Sequence, residues 1–223
     1  MNRNTLIQPV EARSPAFTEH APLIREAPTP LSKLFSGDAL ALISSRQNVS
    51  PRRLEAPAPS AAQLEKIFLA AAAAPDHGLL MPWRFVCIDQ QKRLALARAF
   101  VLALLERDPG ATAEQLEAAR DKASRAPFLA LAISRRGPDS TGIRDIEQII
   151  SLGCAVQNIL LMAHALGFGA GLSSGRAMTS GALRGLFGLM PNEEAACFIS
   201  IGVVHKSKPI RAKPETKNFV SHL

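Results

Sequence analysis

Three short segments hold the residue types that chemistry would need. Arg46 stands in the polar run Ser44-Ser45-Arg46-Gln47-Asn48, where a guanidinium fork beside hydroxyl and amide groups suits a phosphate. The same residues could instead cap a helix end at the surface. His77 sits in Ala74-Pro75-Asp76-His77-Gly78, ahead of Pro82-Trp83-Arg84. Loops held rigidly on a scaffold carry function more often than helix interiors do, although a loop histidine can also simply face solvent. The run Gly167-Phe168-Gly169-Ala170-Gly171-Leu172-Ser173-Ser174-Gly175 could bring backbone amides close to a planar or anionic ligand, because glycine lets the main chain approach.

The signatures of other chemistries are missing. The sequence contains no GxGxxG after a strand, no GxxxxGK[ST] and no HExxH. Its histidines, His20, His77, His164, His205 and His222, lack metal-ligand spacing. No side chain is therefore cast as an acid, base or nucleophile, no metal is expected, and what remains is a chain able to hold a cofactor that does the chemistry itself. Cys87, Cys154 and Cys197 are odd in number, share no CxxC spacing and have apolar neighbours, which predicts buried, reduced thiols.

Composition narrows the partners. The 223 residues are 47% apolar and 20% charged, with a net charge of +7, the range of an ordinary globular domain rather than a disordered or disulfide-stapled chain. The stretch from Ile149 to Leu166 is interrupted by Ser151, Gln157, Asn158 and His164, so no membrane span is expected. The N-terminus lacks the apolar block of a secretory signal and carries Glu11 and Glu19, which points to a cytoplasmic protein. The positive charge could serve nucleic acid, an anionic small ligand or solubility alone. With no Tyr and one Trp there is no platform of exposed aromatics for single strands, and nucleic acid is not expected as a partner. The basic run Lys206, Lys208, Arg211, Lys213 and Lys217 can be read as a solvated tail.

The elements that must position these residues follow from capping and periodicity. Residues 1–37, with Pro9, Pro15, Pro22, Pro28 and Pro30, predict a flexible Pro-rich arm, and residues 38–223 the folded domain. Asp38 caps a short helix ending near Arg46. Ser60 and Gln63 form a capping box for a helix over 60–74, stopped by Pro75. Arg84–Ile88 reads as a strand, and 91–107 as a helix with Leu94, Ala97, Val101 and Leu105 on one face. Thr112 and Gln115 open a second arm to about Ser124. Phe128–Ser134 is a strand, 143–166 a helix apolar on nearly every face, 167–175 a flexible connection, 180–187 a short helix and Ala196–Val204 the last strand. Three strands among five or six helices predict an α+β layered architecture.

From about residue 39 onward the sequence resembles the flavin-dependent nitroreductase family, specifically its YdjA-like branch. The likeness rests on Leu42-Ile43-Ser44-Ser45-Arg46, on Ala56-Pro57-Ala58-Pro59 leading into a helix, and above all on Ala74-Pro75-Asp76-His77-Gly78 followed by Pro82-Trp83-Arg84-Phe85. Lys122-Ala123 with Ala126-Pro127-Phe128, Ser151 to Asn158, Gly167-Phe168-Gly169-Ala170 and Ile199-Ser200-Ile201-Gly202 follow in the same order. The resemblance implies an FMN-binding α+β fold with a central mixed or antiparallel sheet surrounded by helices, and an intertwined homodimer with each flavin at the subunit interface. It implies hydride uptake from NAD(P)H and electron delivery to a small acceptor, nitro- or quinone-like. Matched by position, Ser45, Arg46 and Gln47 correspond to phosphate and ribityl contacts, His77 to a residue reaching the neighbouring subunit's flavin, and Leu172, Ser173 and Ser174 to the segment against the isoalloxazine. The chain departs from the family pattern at Ser45 and Gln47, where arginine and serine are usual, and at Leu172-Ser173-Ser174, where the usual run is Trp-Arg/Leu-Ser/Thr. Those departures keep a second reading open, a flavin-binding or flavin-depleted module of the same fold without turnover.

Overall fold

Five antiparallel strands carry the fold: β1 (Leu54–Glu55), β2 (Trp83–Cys87), β3 (Phe128–Arg135), β4 (Gly169–Ser173) and β5 (Glu193–Val204), in the order β1-β5-β3-β2 with β4 also on β5. This is seen in a computed structural model that describes residues 36–138, 141–206, 209 and 212–223. The chain divides into two units, Met1–Asp38 and Ala39–Leu223. The Pro-rich arm expected over 1–37 lies, apart from its last two residues, outside the described residues, as do Lys208 and Arg211.

Strand β3 shows why there are two helical layers. Its residues alternate between faces, as strand geometry requires. Phe128, Ala130 and Ala132 enter one core with Ile67, Leu152 and Ile159, while Leu129, Leu131 and Ile133 enter another with Leu96, Phe100 and Phe198. Helices α2 (Ala61–Ala72) and α5 (Asp145–Ala165) cover the first face; α3 (Arg93–Arg107) and α6 (Gly181–Phe187) cover the second, with α4 (Ala113–Arg120) packed on α3.

Local signals place several of these elements. Both capping boxes form: Gln63 N donates to Ser60 Oγ and Ser60 N to Gln63 Oε1, and the same exchange joins Thr112 and Gln115. Helix α5 is long and apolar enough by composition to cross a membrane. Its Leu152, Ala155, Ile159, Leu160 and Ala163 are instead buried in the core. The polar residues that interrupt it are used: Trp83 Nε1 donates to Ser151 Oγ at 3.2 Å, and Asn158 Nδ2 to Ala70 O at 3.1 Å.

Several expectations need correction. Residues 169–173 of the glycine run form strand β4 rather than a flexible connection, because the glycines give up side chains where the backbone is crowded. A Cβ on Gly202, the β5 partner of Gly169, would stand 2.7 Å from Pro127 Cγ and 2.9 Å from Glu55 O. Strand β1 is two residues long and is held by Val203 and Val204 of β5, so it has no sequence period of its own. Helix α1 (Ser36–Ser45) begins before Asp38, which lies in its first turn. On α3 the buried face is Leu96, Ala97, Ala99, Phe100 and Ala103, packed in the core with Leu131 and Phe198, whereas Leu94 is 58% exposed. The thiol expectation fails for Cys87, which is exposed; Cys154 and Cys197 are half-buried, and all three are free. Burial raises the Cys197 thiol to about 11.

One ionic cluster ties β2, β3 and β5 together. Arg84 Nε and Nη2 donate to Glu193 Oε1 and Oε2, both at 2.7 Å; Arg135 Nε donates to Oε1 at 3.1 Å and Met190 N to Oε2 at 3.2 Å. Glu193 is 2% exposed, and these donors, Arg84 foremost, hold its carboxyl at about 2. Glu193→Gln is expected to lower the unfolding free energy in urea at pH 7 by roughly 2–3 kcal/mol, since it leaves two guanidinium groups without their anion. The depressed carboxyl stabilises the fold fully above its unfolded value, near pH 4.5, and the contribution is lost as pH falls toward 2. The variant should show a shallower stability loss across that interval; a parallel pH curve would remove Glu193 as the source.

Candidate functional site

The site is organised where α1 ends. Ser45 Oγ lies 2.8 Å from His164 Nε2 of α5, and the chain then runs beside β4. Asn48 makes a parallel bridge with Ala170, Val49 N donates to Ala170 O at 2.9 Å, and Leu172 N donates to Asn48 Oδ1 at 2.9 Å. This approach needs glycine at 171, where a Cβ would fall well inside van der Waals contact distance of the Val49 carbonyl oxygen.

Between this segment and the start of β4 lies a cavity of about 340 Å³, whose walls include Ser45, Arg46, Gln47, His164, Arg53 and Lys206. Arg46 Nε and Nη1 are buried and make no hydrogen bond among the described residues. Such a cation is costly in isolation, and it faces a space that a small anion can enter. Arg53 Nη1 lies 3.4 Å from Lys206 O, and Lys213 donates to Ser44 O, so the basic tail passes this end of the domain. Among the described residues no group of three metal-ligating side chains occurs.

The seven residues singled out from the sequence fall in four places. Ser45, Arg46 and Gln47 share the Arg46 cavity. Ser173 and Ser174, at the end of β4, line a second cavity of about 590 Å³. Leu172 lies between these groups, 37% exposed and tied back to Asn48. His77 lines neither cavity. Its side chain is 69% exposed and its Nδ1 is 2.8 Å from Glu147 Oε2, while Arg144 Nε donates to Glu147 Oε1 at 3.0 Å. Those two partners, His77 first, hold the Glu147 carboxyl below its ordinary value.

The His77 loop is strained. Leu79 and Met81 have φ of 52° and 45°, in the left-handed region that non-glycine residues avoid, and Met81 N is anchored to Asp76 Oδ2 at 2.7 Å. Asn48, Arg53 and His164 were not singled out by spacing. Asn48 stood in the donor-rich run, whereas nothing local marked the other two.

With this geometry in place the comparisons with known proteins are direct. The nitroreductase family model matches residues 45–203, and the chain belongs to that family. It is 35% identical over 187 residues to a provisionally named NAD(P)H nitroreductase of Haemophilus influenzae, covering 83% of this chain and 100% of the relative. To the provisionally named NAD(P)H nitroreductase YdjA of Escherichia coli K12 it is 33% identical over 189 residues, covering 83% and 99%. These relatives place it with the YdjA-like branch of an oxidoreductase family. Among solved structures, a nitroreductase-like family protein from Bacillus cereus matches with a TM-score of 0.70 at 19% identity, covering 90% of this chain and 99% of the other. The NADPH:FMN oxidoreductase of Vibrio harveyi, complexed with NAD+, matches with a TM-score of 0.64 at 15% identity over 83% and 76%. At those identities the likeness is one of fold, and it agrees with the α+β nitroreductase-like architecture expected from the sequence.

The seam between Asn48 and β4 can be tested by hydrogen exchange. Asn48→Ala should speed exchange of the Leu172 amide at least tenfold while costing about 1 kcal/mol of global stability. Gly171→Ala should cost more, about 2 kcal/mol or above, because the added methyl meets backbone rather than a yielding side chain. Unchanged protection at Leu172 in Asn48→Ala would show that this bond does not hold the segment.

Proposed function

We propose that the protein is an FMN-dependent NAD(P)H oxidoreductase of the nitroreductase type, passing electrons from a nicotinamide cofactor to a small nitro- or quinone-like acceptor. The observation that carries this reading is Arg46. A guanidinium with two buried nitrogens, Nε and Nη1, unpartnered among the described residues, at a cavity that also receives Lys206 and Arg53, has the donor set for a phosphate monoester. Arg46 would grip the phosphate, with Ser45, Gln47 and Lys206 around it. The Val49–Ala170 and Asn48–Leu172 bonds fix β4 so that Leu172, Ser173 and Ser174 can lie along the edge of the ring system. When bound, FMN supplies the hydride and electron chemistry, and the side chains bind and orient.

Two features favour a homodimer in which His77 serves the neighbouring subunit. His77 is far enough from the Arg46 cavity to share none of its walls, and it sits in an exposed, strained loop with Leu79 88% exposed. Helix α5 also leaves Ile146, Ile149 and Ile150 more than half exposed, an apolar surface suited to a second copy. The departures at Ser45 and Leu172-Ser173-Ser174 leave Arg46 as the main phosphate grip. A cytoplasmic location fits this reading.

Arg46→Ala should weaken FMN binding by about 2 kcal/mol, roughly thirtyfold in Kd, in a flavin fluorescence titration, and Arg46→Lys should restore only part of it. The wild-type protein saturated with FMN should oxidise NADH or NADPH with a nitroaromatic acceptor, and should run as a dimer in sedimentation. Full FMN affinity in Arg46→Ala would place the phosphate elsewhere; a flavin-loaded protein that transfers no electrons would favour the non-catalytic module.

A further inference from the structure

The second cavity is larger than the first and differently built. Its lining includes the apolar side chains Phe100, Leu104, Leu129, Phe198 and Met178 together with Ser173 and Ser174. Four cations from three segments also line it: Arg107 at the end of α3, Lys122 and Arg125 after α4, and Arg176 after β4. No acidic side chain lines it among the described residues. Two carboxylates on α3 and α4 are committed: Glu106 accepts from the amides of Gly181 and Ala182 at 3.1 and 2.9 Å, and Glu117 pairs with Arg120. Asp121 lies near Arg125, but so does Arg52. Burial, together with repulsion from Arg125 and Arg107, weakens the hold of Lys122 on its proton.

A second observation is independent of these charges. Ser200 lies in the middle of β5 between Ile199 and Ile201, is 0% exposed, and lines the cavity. Its Oγ has no hydrogen-bond partner among the described residues. A buried hydroxyl left without a partner in a sheet core is unfavourable, and an acceptor atom entering the cavity would satisfy it. The strand neighbours of Ser200, Leu129 and Gly171, offer no side-chain acceptor.

We propose that this cavity is the binding site for an anionic aromatic substrate, whose ring lies against these apolar side chains, whose carboxylate or phosphate meets the Arg107, Lys122, Arg125 and Arg176 cations, and whose reacting end points to Ser173 and Ser174. Ser200 Oγ donates to an acceptor atom of the ring substituent. The anion can come from the electron acceptor or from the phosphates of the nicotinamide donor, and both present the same chemistry to these side chains. The proposal rests on the flavin reading only in placing the reacting end beside the segment matched to the isoalloxazine.

The test is calorimetric titration of the purified, FMN-supplemented dimer or monomer, as it exists in solution, with 4-nitrobenzoate and its neutral isostere 4-nitrobenzamide, with NADPH as a third arm. Flavin content is measured on the same samples. The wild type should bind the benzoate at least tenfold more tightly than the amide. In the Arg107→Gln/Lys122→Gln double variant that preference should fall at least tenfold, with the amide changing less than twofold. Arg176→Gln, on an exposed loop, should lower it in part and serves if the double variant does not fold; Arg120→Gln, outside the cavity, should not. A loss confined to NADPH supports the anion site and assigns it to the donor, and a loss confined to the benzoate assigns it to the acceptor. Variants in which both the benzoate preference and NADPH affinity match the wild type, or a wild type that neither prefers the benzoate nor binds NADPH, overturn the proposal. So does loss of flavin in the double variant with benzoate binding intact, which would place these cations on the cofactor. Protein that binds no FMN yet still discriminates benzoate from amide would count against the flavin reading and leave the cavity assignment standing.

Discussion

The missing side chain of Gly171 lets the carbonyl of Val49 sit where a Cβ would otherwise be, and the rest of the site depends on that closeness. Because the segment after α1 can lie against β4, Asn48 and Val49 bond to Leu172 and Ala170. Arg46 is thereby held at a cavity wall rather than swinging in solvent. The same contact joins the Arg46 cavity to the end of β4, where the second cavity begins. A strand edge that pairs on one side with β5 and on the other with a short parallel segment is thus both a structural seam and the divider between two cavities.

Charge is handled in opposite ways at the two ends of β5. At its start the nearly buried Glu193 is matched by two arginines and a backbone amide, so the cluster is satisfied and holds strands together. Toward the middle and end of the strand, cations gather at cavities that no acidic side chain lines among the described residues: Arg46 and Lys206 at one, Arg107, Lys122, Arg125 and Arg176 at the other. The net charge of +7 is therefore partly arranged around cavities, which suits anionic small molecules better than a general affinity for polyanions.

Signals that are local and chemical could be read from the sequence; those that depend on distant partners could not. The capping boxes at Ser60 and Thr112 lie within four residues and appeared as expected. The alternation of β3 was plain in Phe128–Ser134. Strand β4 was hidden because glycines at 169 and 171 read as a turn, while their actual role is to admit Val49 and Val204. The buried face of α3 was read correctly at Ala97 but not at Leu94, since Leu96, Ala99, Phe100 and Ala103 are the residues buried with it. At the site, Arg46 was visible as a donor among donors, but its lack of a partner is a property of the fold. Ser200 offered a signal, one polar residue between two isoleucines in an apolar strand, whereas the four cations of the second cavity come from segments spread over some 70 positions (107 to 176) and had none.

A crystal structure of the FMN-loaded protein would bear most directly on the role given to Arg46. The flavin phosphate should lie within hydrogen-bond distance of Arg46 Nε or Nη1, with the ring edge along Leu172, Ser173 and Ser174. A phosphate bound away from Arg46, or a ring that leaves the end of β4 uncovered, would contradict the assignment.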